Sequence, residues 1–135
     1  MRQKFSSVAC TIGQAMTTTR QFVFKVTTRA AWKTACRSGV YAGSADDLRD
    51  GYIHLSLREQ LPGTLAKHFR GRHDLVLIQF ETLALGELLR WEVSRGGEVF
   101  PHLYAPLPTQ KVVAVCDLQL GIDGVPMLPK EFAAC

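Results

Sequence analysis

No acidic residue occurs in the first 45 positions of this 135-residue chain, and no apolar run in it is long. A membrane-spanning helix needs ~20 consecutive apolar residues, so a spanning segment is not expected. Cysteine is sparse: Cys10, Cys36, Cys116 and Cys135 stand far apart and form no CxxC pair. That excludes a zinc-finger spacing and the dense disulfide framework of small secreted domains. Reduced thiols in a cytoplasmic protein are the expectation. Phosphate-loop, dinucleotide-fingerprint and GxSxG signatures are all missing, so no ready-made nucleotide or hydrolase motif anchors a function.

What is present is ordinary globular material. The chain is 47% hydrophobic and 21% charged, which is too apolar for disorder. Its length suits one domain. The basic excess is local: residues 1–45 hold Arg2, Lys4, Arg20, Lys25, Arg29, Lys33 and Arg37 and no acid, while the rest is acidic on balance. A nucleic-acid binder would spread its basicity over a working surface, so nucleic acid is not the expected partner. Residues 1–19 begin with Arg2 and Lys4 but continue with Ser6, Ser7, Thr11, Gly13 and Gln14. That is too polar for the core of a signal peptide. They are expected to form a poorly ordered extension, followed by one domain over 20–129 and a loose tail over 130–135.

Local patterns predict the elements. FVFKVT (22–27) alternates and is rich in β-formers, hence a strand. Thr28 is placed to cap a helix that Gly39 stops, with Ala31, Trp32 and Ala35 inward and Lys33 and Arg37 outward. Ser44 followed by Asp46 and Asp47 predicts a capped helical turn. YIHL (52–55) is a strand, and Ser56 precedes Glu59 at the spacing of a capping box. A second main helix is expected over 62–70, with His68 on its surface. LVLIQF (75–80) is a near-continuous apolar run and therefore a central strand. LRWEV (89–93) is a strand, whereas Pro101 should reduce 99–104 to an edge piece or a loop. The last strand is expected over 111–120. Strands in late runs without a βα repeat give an α+β fold: a bent, mostly antiparallel sheet with two main helices.

Two segments carry groups that local structure does not require. In GYIHLS (51–56), Ile53 and Leu55 pointing inward place His54 and Ser56 on the opposite face, where they can line a pocket. In WEVSRGGEVFPHLY (91–104), Arg95 stands beside two glycines and is followed by Phe100, His102 and Tyr104. Glycines admit close approach of an anion, Arg offers a planar fork of donors, and aromatic rings offer stacking surfaces. Without a ligand, the same residues make a Gly-Gly turn with an exposed Arg, a solvent-facing His and a capping Ser. His54, His102 and Glu92 lack a short ligand spacing, so no metal is expected.

The runs GYIHLSLREQL, LRWEVSRGG and FPHLYAPLP, in this order, resemble the domain-of-unknown-function 952 family of small, mainly bacterial proteins. The opening FVFKVTTRAAWKTACRSGVYAGSADDLRDGYIHLS is similar to the opening of that family. The likeness spans residues 21–129. It implies an ADP-ribosyltransferase-like fold, a split, bent antiparallel sheet with a cleft that takes NAD as substrate. It further implies His54 and Glu92 as catalytic candidates, with Ser56, Arg95, His102 and Tyr104 as ligand-binding candidates. Tyr104, or else Tyr52, would be the stacking ring, and Arg95 would meet a phosphate. Breaking the nicotinamide glycosidic bond builds positive charge on the ribose, so a carboxylate is wanted there. Glu92 and Glu98 are the acids near the second segment. Three functions fit: ADP-ribosyl transfer, non-catalytic binding of NAD or a related nucleotide, and a structural or protein-interaction role with no small ligand.

Overall fold

The structure is a computed structural model that describes residues 20–130. The extension expected over 1–19 and positions 131–135 of the expected tail lie outside the described residues. Strand β1 (Phe22–Thr28) runs antiparallel to β4 (Leu75–Glu81) along its whole length, and β4 pairs on its other edge with β8 (Val112–Asp117). The apolar run at 75–80 is thus a central strand, and both of its faces are covered. Val76, Ile78 and Phe80 enter one core cluster with Trp32 and Ala35; Leu75 and Leu77 enter a second with Leu61 and Leu65.

Trp32 and Ala35 belong to helix α1 (Arg29–Ser38). Thr28 caps it by accepting from the Ala31 N–H at 3.0 Å. Gly39, at φ +96°, closes it in the left-handed conformation that glycine adopts without strain. Leu61 and Leu65 belong to helix α3 (Leu61–His68), the second main helix. Between them lies the short helix α2 (Ala45–Asp50), which Ser44 and Asp47 cap reciprocally. Among the described residues, no helix is long and apolar enough to cross a membrane.

A second three-stranded sheet has the order β3 (Ile53–His54), β6 (Val99–Leu103), β5 (Leu89–Val93), again antiparallel. The segment with Pro101 is therefore its centre strand and not an edge piece or loop. Pro101 accepts a bond from the Leu55 N–H at 3.1 Å but has no N–H to return. At that rung the chain after β3 leaves β6. Ser56 instead exchanges backbone bonds with Phe24 of β1, at 2.8 and 2.9 Å. The two sheets therefore meet at one bridge and part around it, which is an α+β architecture with antiparallel sheets. Two short ladders complete it: β2 (Val40–Tyr41) with β7 (Leu107–Pro108), and β9 (Gln119–Leu120) with β10 (Pro126–Met127).

The same bridge corrects the capping expectation. Ser56 is extended against Phe24, so the following 3-10 turn (Arg58–Gln60) starts one residue later. Its cap is the Gln60 side-chain carbonyl, which accepts from the Leu57 N–H at 2.9 Å. The Ser56 hydroxyl is thereby released to Thr64.

Gly43 sits at φ +120°, and a Cβ there would come within 2.8 Å of the Asp47 Cβ. Gly43→Ala is expected to destabilise the fold by about 1–3 kcal/mol in denaturant unfolding, through strain and overpacking. Gly96→Ala, also at positive φ but with open space around it, should cost less.

Candidate functional site

A cavity of about 340 Å³ lies between the two sheets where they part, walled by β1, β3, β6, α2, α3 and the loop at Arg95. Its floor is built around Asp47, which is 2% exposed. One carboxylate oxygen, Oδ2, accepts from the Lys25 ammonium at 2.8 Å and the Ser44 N–H at 2.9 Å. The other, Oδ1, takes the His54 N–H at 3.0 Å and faces His54 Nδ1 at 2.6 Å. Burial alone would raise the Asp47 carboxyl. The bond from His54, the Lys25 charge and the Ser44 N–H outweigh it and hold the group well below the usual carboxylate range. Lys25 also donates to the His54 carbonyl at 3.1 Å, and burial pushes its ammonium down against the pull of Asp47.

His54 and Ser56 line the cavity, as the alternation of β3 predicts, and Ile53 and Leu55 are buried in the core, with Leu55 also reaching the cavity wall. The second ring nitrogen of His54, Nε2, faces Asp50 at 3.0 Å. Asp50 and Asp46 are both held by Arg49, at 3.1 and 2.9 Å. The Ser56 hydroxyl meets Thr64 Oγ1 at 3.0 Å, and Thr64 Oγ1 accepts from Arg95 at 3.3 Å. The Arg95 guanidinium lies over the Phe100 ring at 4.8 Å. Neither Glu92 nor Glu98 pairs with it.

His102 also lines the cavity, so four of the six sequence-predicted site residues converge there. Glu92 and Tyr104 do not line it; they sit behind His102. Glu92 Oε1 lies 2.7 Å from His102 Nδ1 and accepts from the Tyr104 hydroxyl at 2.8 Å. The His102 bond, then the Tyr104 bond, lower the Glu92 carboxyl from its ordinary value. The Tyr104 phenol is raised in return, chiefly by its bond to Glu92. Tyr52 is the ring at the centre of this group: it stacks on His102 at 4.1 Å and tilts against Tyr104 at 5.2 Å. Among the described residues, no group of His, Cys, Asp and Glu is arranged to hold a metal.

Lys25, Asp47, Thr64, Lys67 and His68 were not among the predicted site residues, yet all five line the cavity. Lys25 had a signal: it is the one charge in a run of β-formers whose neighbours on both sides are buried. Thr64 and His68 stand four apart on α3 and so share one face. His68, expected on the surface, is exposed at the cavity rim. Burial and then the nearby Arg95 charge lower its imidazole, with a smaller push from Lys67.

Two outcomes follow. Asp47→Asn strips charge from a buried pair and should cost about 3–5 kcal/mol at neutral pH by chemical denaturation. The lowered Asp47 carboxyl lends stability that is present above its ordinary value of 3.8 and is lost as pH falls below it. The wild-type melting temperature should therefore drop across that acid range, and the drop should be shallower in Asp47→Asn. Second, an anion beside Arg95 and Lys67 offsets the charges that depress His68. Phosphate should move the His68 titration midpoint upward in proton NMR, and an unmoved midpoint would place no anion on that wall.

Residues 26–115 match the model of a family described as "Protein of unknown function (DUF952)". No curated protein matches the chain. The crystal structure of protein CC0527 from Caulobacter crescentus is similar, at 50% identity and a TM-score of 0.80 over 83% of this chain and 98% of that one. A methionine double mutant of CC0527 superimposes with the same TM-score at 49% identity and the same coverage. The solution NMR structure of CC0527 gives 0.75 at 49% identity, over 84% of this chain and 98% of that one. The span of the family match and the identity to a solved relative over nearly all of that relative's length lead to one statement: this chain belongs to the DUF952 family.

Proposed function

We propose that the cavity is a non-catalytic binding site for a nucleotide phosphate, NAD or a related molecule, with Arg95 as its anion contact. The observation that carries this reading is the charge balance of the walls. Every carboxylate lining the cavity is already engaged: Asp47 by Lys25 and His54, Asp46 and Asp50 by Arg49. Among the described residues, Arg95 has only a hydroxyl and a ring as partners. It rests against the first turn of α3, whose first turn contains no acid. A guanidinium at the positive end of a helix is not stabilised by the dipole, whereas an anion placed between them is held by both. Lys67 and His68 extend the same wall.

The ADP-ribosyltransferase-like fold that the family resemblance implies makes NAD and ADP-ribose the first ligands to try. Transfer of ADP-ribose would call for a carboxylate at the ribose. Glu92 and Glu98 are not among the residues lining the cavity, and Glu92 is bonded to His102 and Tyr104. Binding is therefore proposed ahead of transfer.

Calorimetric titration with NAD and ADP-ribose tests the reading. Arg95→Ala should weaken binding by about 1.5–3 kcal/mol, the worth of a charge-assisted hydrogen bond. Arg95→Lys should recover only part, since an ammonium cannot make the bidentate contact. Thermal stability should change little, because no carboxylate pairs with Arg95. Affinity unchanged in Arg95→Ala would remove this residue from the site.

A further inference from the structure

His102 is a buried imidazole, its side chain 3% exposed, and only one of its nitrogens is used. Nδ1 faces Glu92, a carboxylate that only accepts, so Nδ1 carries the proton of that bond. The Tyr104 hydroxyl occupies the same carboxylate oxygen, and the Tyr52 ring covers one face of the imidazole. The ring is thus fixed in position and in tautomer by three neighbours. Nε2 has no partner among the described residues, although buried polar atoms are nearly always bonded. His102 lines the cavity, while Glu92, on its Nδ1 side, does not.

The neighbouring contact places the two groups side by side. Phe100 and His102 stand two apart on β6, so they share a sheet face at about 7 Å. Arg95 lies over Phe100. A ligand whose anionic group meets Arg95 therefore brings its next few atoms to His102. We infer that His102 Nε2 is the acceptor for a ligand hydroxyl, and that the cavity selects phosphate esters that also carry a hydroxyl. Glu92 is then a positioning residue that holds the tautomer. This rests on the anion reading of Arg95 and adds a second, neutral contact to it.

The probes are ribose 5-phosphate, which carries hydroxyls, and methyl phosphate, which carries none. Calorimetry on the full chain should show ribose 5-phosphate bound about fivefold or more tightly than methyl phosphate, the measure of one neutral hydrogen bond. His102→Phe keeps a ring for Tyr52 to stack on. It should reduce ribose 5-phosphate to the level of methyl phosphate and leave methyl phosphate unchanged. Long-range nitrogen-15 spectra of wild-type His102 give a readout that needs no variant. Nδ1 should be the protonated nitrogen, and Nε2 should shift on adding ribose 5-phosphate but not methyl phosphate. Equal affinity for the two esters, or a proton on Nε2 in the free protein, overturns the role of His102 while leaving Arg95 intact. If neither ester binds, the anion reading itself fails, and the hydroxyl-bearing ester fails with it.

Discussion

A single carboxylate holds the site together. Asp47 accepts four bonds from three elements: the Lys25 ammonium of β1, the Ser44 N–H at the head of α2, and the backbone and ring of His54 in β3. A helix of six residues has too few internal bonds to stand alone, so α2 stays formed because Asp47 ties its first turn to two strands. Replacing such a buried ionic cluster with apolar groups is often neutral or stabilising, so net stability does not account for it. Its consequence is positional. Lys25 is neutralised beneath the cavity, His54 is fixed in orientation, and Gly43 is required for Asp47 to approach.

That arrangement divides the cavity into two chemically different walls. On the side of α2, Asp46 and Asp50 are bonded by Arg49, Asp47 is bonded by Lys25, and His54 faces both Asp47 and Asp50. On the side of α3, Arg95, Lys67 and His68 line the cavity without an ion-pair partner among the described residues. Between them the centre strand β6 presents Phe100 and His102 as a flat surface backed by Tyr52, Tyr104 and Glu92. Selectivity in such a site comes from the unmatched groups, because matched ones are already bonded.

The sequence was legible wherever one segment carried its own instruction. Thr28 and Gly39 mark the ends of α1, the run at 75–80 could only be covered on both faces, and the alternation of 53–56 sent His54 and Ser56 to one side. It was not legible where partners are distant in the chain. Lys25 and Asp47 lie 22 positions apart, and Arg95 and Thr64 lie 31 apart. Nothing local announces such meetings. Pro101 misled for a physical reason: a proline is excluded from a centre strand only if its missing N–H is needed, and here the neighbouring strand departs at that rung. Ser56 misled because its backbone was claimed by Phe24 before it could begin a turn.

That departure at Pro101 has an evolutionary reading. The gap between the sheets is set by a backbone donor that proline does not possess, and by the bridge from Ser56 to Phe24, both main-chain features. Side chains that line the gap are not what opens it. Exchange of an exposed lining residue such as Lys67 would therefore change what the gap recognises while the opening stays in the same place. Drift in specificity on this scaffold costs the fold little, and a shared shape among relatives is no guarantee of a shared ligand.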